Sequence, residues 1–179
     1  MLVDYTFFQG GILNIEGAVL NTDSASDTNH AIVDSLQAFV LEYEQEYLVK
    51  LLGEELYEKF SSYIDNGKEP SEKRWDDLID RLIVKRNDGE TVLSKSPIAN
   101  YIYFHYLRHN HTQATITGVK ADGDDGRLVS PERKMIFAWN DMVKMNRRLV
   151  GWLEENRRLI YPGLVFDEEL LETINPFGI

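Results

Sequence analysis

Residues 97–111 read PIANYIYFHYLRHNH, residues 112–130 read TQATITGVKADGDDGRLVS, and residues 131–156 read PERKMIFAWNDMVKMNRRLVGWLEEN. The outer two stretches have the period of helices, and each opens on Ser-Pro (Ser96-Pro97 and Ser130-Pro131). Serine accepts a hydrogen bond from the first turn, and proline fits where an N–H would otherwise go unpaired. In the first stretch Ile98, Tyr101, Ile102, Phe104, Tyr106 and Leu107 cover most of the helix circumference, which predicts a central buried helix. In the second, Ile136, Trp139, Val143, Asn146, Val150 and Leu153 recur at alternating spacings of three and four, a seam with one polar member. An antiparallel partner for the aromatic helix satisfies that seam, and a subunit interface is the alternative. The middle stretch has neither helical period nor apolar density, and predicts a polar excursion, either a loop or a β-hairpin.

Working outward, residues 29–64 carry a helical apolar period that Gly53 interrupts, and residues 71–84 (SEKRWDDLIDRLIV) predict a further helix capped by Ser71. DNGKEP (65–70) and KRNDGETVLSKS (85–96) read as turn-rich connectors. DYTFFQGGILNIEG (4–17) predicts a short hairpin about Gly10–Gly11 or an irregular arm. YPGLVFDEELLETINPFGI (161–179) reads as a turn, a short helix and an apolar tail. The expected fold class is therefore mainly α: one helical bundle over residues 1–179. It has an N-terminal arm or hairpin over 1–27, a protruding segment over 111–130 and a tail over 161–179.

Composition narrows the function. Hydrophobic residues make up 43% and charged residues 27%, ordinary values for a globular domain. The absence of cysteine excludes disulfides, thiolate catalysis and cysteine-based metal centres. The first basic side chain is Lys50, and no apolar run approaches the roughly 18 residues of a membrane span. A soluble, cytoplasmic protein without membrane contact is expected. Net charge is −11, which argues against broad contact with nucleic acid. Charge is uneven: residues 1–49 carry eight acids and no base, while residues 131–160 carry seven bases against four acids. Those regions suit either solvated faces or complementary contacts between copies.

Candidate chemistry is thin. His105 and His109 lie four apart on one helix face and could pinch a metal, but Tyr106 stands where a metalloprotease helix needs its glutamate. Counted from Asp122, a calcium loop fails at Gly126 and Arg133. Glu42/Glu46 and Asp76/Asp80 are one turn apart, and acid–base work would need one of each pair desolvated. No phosphate-binding glycine loop and no nucleophile elbow is present. The expectation is a non-enzymatic protein with no cofactor, no metal and no small-molecule substrate. A small metal-binding protein or metal-dependent enzyme using His105/His109, and a helical interaction adaptor, are the alternatives.

The pattern LVKLLGEELYEKF (48–60), in which Tyr-Leu-x-x-Leu-Leu-Gly precedes Leu-Tyr-x-x-Phe, resembles small proteins of Bacteroides-type phages and prophages. These belong to the head-completion or head–tail connector proteins. The aromatic helix, PERKMIFAWNDMVKMN and the terminal INPFGI fit the same resemblance. It implies a structural subunit of a ring between portal and tail, present in the host cytoplasm and the virion. Its partners would be copies of itself, portal and tail proteins, with only loose contact to passing DNA. On this reading the contact residues are Thr115, Thr117, Lys120, Asp122, Asp124, Asp125 and Arg127 in the excursion, Arg147 and Arg148 on the basic helix, and Phe177 in the tail.

Overall fold

A computed structural model describes residues 1–20, 27–87, 92–112 and 131–175. The architecture is mainly helical. Among the described residues five helices, α1 (Asp27–Leu52), α2 (Glu54–Asp65), α3 (Lys73–Leu82), α4 (Pro97–Thr112) and α5 (Pro131–Asn156), accompany one antiparallel pair, β1 (Val84–Asn87) and β2 (Val92–Lys95).

The α1–α2 break falls at Gly53, whose φ of +78° is left-handed backbone that a side chain resists. A Cβ there would also approach the Val165 carbonyl oxygen to 3.1 Å. Beyond the break, Leu56, Phe60 and Tyr63 keep the helical spacing that buries one face of α2. Trp75, Leu78 and Leu82 do the same for α3, and the Trp75 ring meets Phe60 and Tyr161 at 5.4 and 5.8 Å.

The start of α4 follows its cap. Ser96 Oγ accepts from the backbone N–H of Ile98 and of Ala99, at 3.2 and 3.4 Å. Burial is complete from Ser96 to Tyr103, half from Phe104 to Leu107, and gone by Arg108. The aromatic helix is thus central over its first two turns rather than along its whole length. It runs antiparallel to α1, since Tyr47 meets Tyr101, Tyr43 meets His105 and Phe39 meets His109. The α5 seam lies inside the chain: Trp139, Val143, Asn146, Val150 and Leu153 are buried, and Ile136 is half-buried. Trp139 packs on Tyr101 and Phe104 of α4, so the seam faces this chain's own core.

Three local expectations change. Residues 4–17 form 3-10 turns at Tyr5–Phe8 and Gly11–Leu13, not strands. Asp4 accepts from the Thr6 N–H at 2.9 Å, a local bond that competes with strand pairing, and Phe8 is buried beneath. The hairpin forms instead within the connector, where Val84 pairs with Lys95 and Asn87 with Val92. Four residues join the strands, a length that suits a hairpin. The short helix expected near the end is a single 3-10 turn, Glu168–Leu171. The excursion over residues 113–130 lies outside the described residues.

Candidate functional site

The densest polar cluster sits where α1, α4 and residues 167–174 meet. Lys50 is its centre. Its Nζ donates to Glu169 at 2.8 Å and to the Tyr101 hydroxyl at 3.1 Å, and it pairs with Glu46 at 3.2 Å. Tyr101 in turn donates to Glu46 at 2.7 Å. Partial burial disfavours the Lys50 charge, but bonds from Glu169, Tyr101 and Glu46 outweigh it and raise its pKa. Burial likewise lifts the Glu46 carboxyl, and bonds from Tyr101 and Lys50 overcome it, leaving the pKa below the usual carboxylate range. Lys50 and Glu46 are thus both held in their ionised forms, poor footing for proton exchange near neutrality and good footing for a clamp.

One turn away, Asn146 occupies the interior with no exposure. Its Oδ1 accepts from the Tyr47 hydroxyl at 2.6 Å and its Nδ2 donates to the Leu170 carbonyl at 3.0 Å. The polar member of the seam is therefore a bridge between α1, α5 and the C-terminal segment. Three more α5 side chains grip that segment by its backbone. Trp139 Nε1 donates to the Glu172 carbonyl at 2.7 Å, and Arg147 donates to the Leu171 carbonyl at 3.2 Å. Asn140 pairs with both the carbonyl and the N–H of Ile174, at 3.0 and 2.9 Å. Residues 170–174 are a strap laced along α5, and the Asp167 N–H bonds the Lys50 carbonyl at 2.7 Å to start it. Six residues before Lys50 on α1, buried Glu44 accepts from the N–H of Leu2 and of Val3 at 2.8 and 2.9 Å. Burial raises its carboxyl against the pull of those bonds.

The histidines occupy different roles. His105 stacks on Tyr43 at 4.3 Å and lies 4.5 Å from the Tyr101 ring, and its Nε2 is enclosed without a hydrogen-bond partner. Burial lowers its pKa to about 4, with the nearby Glu46 charge opposing. His109 lies edge-on to Phe39 at 5.2 Å. Among the described residues no three His, Asp or Glu side chains converge to hold a metal. Of the carboxylate pairs, Glu42 is exposed while Glu46 belongs to the Lys50 cluster, and Asp76 accepts from Tyr63 at 2.8 Å while Asp80 is exposed.

Thr115, Thr117, Lys120, Asp122, Asp124, Asp125, Arg127 and Phe177 lie outside the described residues. Arg147 is a strap clamp, and Arg148 is exposed at the rim of a surface hollow shared with Asp80 and Arg81. In sequence Tyr101 and Trp139 register only as members of apolar helix faces, and Lys50 and Asn140 carry no site signal of their own. The i, i+4 spacing of Glu46 and Lys50 is a sequence feature of the cluster, but such pairs are common on helix surfaces. No helix among the described residues is long and apolar enough to cross a membrane. No family model matches the chain, and no curated protein or solved structure matches it either.

Proposed function

We propose that the chain is a non-enzymatic structural subunit of a phage or prophage neck, joining portal ring to tail through contacts between copies. The observation that carries this reading is the tied pair of helices that precedes and follows residues 113–130 in the chain. The helices on either side of that segment, α4 and α5, are tied by the Asn100 amide donating to the Ala138 carbonyl at 3.0 Å and by Trp139 against Phe104 at 4.7 Å. Both are then locked to α1 through Tyr101 and Asn146. A subunit that transmits load between two rings needs its helices tied together in this way. The resemblance of residues 48–60, of the two helices and of the terminal INPFGI supplies the phage context.

The test is affinity capture of the tagged chain from source cells after prophage induction, with co-purifying proteins identified by mass spectrometry. Portal, capsid or tail proteins are expected. Recovery of cellular proteins alone overturns the reading.

A further inference from the structure

We infer that the outer face of α1 docks on the outer face of α5 in a second copy of this chain. The inference deepens the proposed function and rests on its requirement for contacts between copies. It starts from where the unpaired charge lies. The ion pairs among the described residues engage Lys50, Lys59, Arg74 and Arg157 as bases, besides the terminal amine. None engages Lys144 or Arg148 on α5, or Asp34 or Glu42 on α1, and all four side chains are exposed. Of these four, the two acids sit on α1 and the two bases on α5, which also carries Glu132, Asp141 and Glu155. Two different complementary surfaces are what a head-to-tail contact requires, and such a contact closes into a ring when the rotation allows.

The shapes of the two faces agree with the charges. Leu41 is 61% exposed on the outer side of α1, between Asp34 and Glu42, and Ala38 one turn before it keeps the surface low. On α5, Gly151 is exposed, and a Cβ built on it meets nothing within 4 Å. Glycine inside a helix costs about 1 kcal/mol relative to alanine, and here it leaves a notch on the basic face. Seating Leu41 in the notch with the helices near-parallel sets the register. Asp34 and Lys144 both lie seven residues before those anchors, two turns or about 10 Å along each axis. They come level. Arg148 then lies opposite Ala38, whose small side chain leaves the guanidinium free to reach Asp34 or Glu42. The contact is apolar at its centre and charged around it, the usual anatomy of a specific interface. Such paired fields favour one partner and one orientation over others.

The experiment is sedimentation velocity on the purified full-length chain, across a range of protein concentration and at low and high sodium chloride. The wild type should associate at low salt and weaken at least tenfold at high salt. An Asp34→Lys/Glu42→Lys variant, positive on both faces, should be monomeric. A Lys144→Glu/Arg148→Glu variant, negative on both faces, should be monomeric too. Mixing the two should restore association, because each altered face then meets its complement. Circular dichroism melting confirms that both variants fold, as expected for exposed sites. A wild type that stays monomeric at every condition overturns the inference, as does a variant that associates like the wild type or a mixture that stays apart. The capture experiment above is independent. Portal or tail proteins recovered with a monomeric chain would sink this contact and leave the neck assignment standing.

Discussion

Replacing Asn146 by leucine tests whether the polar bridge, rather than the apolar seam around it, holds the bundle in register. Leucine keeps the branched outline and heavy-atom count of asparagine with bulkier ends, so the change removes hydrogen bonds without opening a cavity. It leaves the Tyr47 hydroxyl and the Leu170 carbonyl without their partners in a fully buried setting. Each unsatisfied group costs about 1–3 kcal/mol, so Asn146→Leu should destabilise the fold by roughly 2–5 kcal/mol. Tyr47→Phe alone strands only the Asn146 Oδ1 and should cost about 1–2 kcal/mol. The decisive variant is the double one. With both changes the hydroxyl and its acceptor are gone together, and only the Leu170 carbonyl stays unpaired. Tyr47→Phe should therefore rescue Asn146→Leu by about 1 kcal/mol or more instead of adding to it. In urea, with a slope of about 2 kcal/mol per molar, the rescue is a rise of about 0.5 M in midpoint at unchanged slope. A double mutant less stable than Asn146→Leu would refute the reasoning, since it would make the side chains' packing, not their bond, the source of stability.

Other perturbations follow from the same structure. Lys50→Met should cost about 1–2 kcal/mol, discounted because the cluster is partly exposed, and should speed hydrogen exchange at Glu169 and Asp167 before the rest of the chain. His105 has a folded-state pKa of about 4, below its unfolded value near 6.5. The unfolded chain then binds the extra proton between those values, so this side chain makes stability fall as pH drops from about 6.5 to 4, by about 1–2 kcal/mol once its partial exposure is discounted. His105→Phe should flatten that part of the stability profile in paired melts at pH 7 and pH 4.5, and an unchanged slope would exclude the assignment. Gly53→Ala should destabilise by about 1–3 kcal/mol through its positive φ and the close Val165 carbonyl, whereas Gly151→Ala should stabilise the monomer by about 0.5–1 kcal/mol in thermal melts.

Much of the bundle was legible because helices announce themselves through side-chain period and caps. Ser96-Pro97 gave the start of α4, Gly53 gave the α1–α2 break, and the spacing from Trp139 to Leu153 gave the buried face of α5. The hairpin over residues 84–95 was not legible, because its strands are only four residues each and lack the alternation that marks a half-buried sheet. The N-terminal turns were missed for the converse reason: aromatic residues beside Gly10–Gly11 imitate strands, while Asp4 directs the backbone into a local turn. The clamp was hidden for a deeper cause. Asn140, Asn146 and Trp139 read as ordinary helix members, and nothing in sequence links them to the main-chain atoms they hold. Asn146 was visible as an exception to the seam, but its partner could not be named without the fold.

The strap over residues 170–174 is held through carbonyl and amide groups that every amino acid possesses. The spelling of its exposed positions, Glu172 and Thr173, is therefore nearly free to drift over evolutionary time, while the buried Leu170 and the four α5 residues that grip the strap are not. Selection acting on such a pair leaves a lopsided record, with substitutions accumulating in the held partner and few in the holder. Related chains should then share the Trp139, Asn140, Asn146 and Arg147 positions long after their termini have ceased to align.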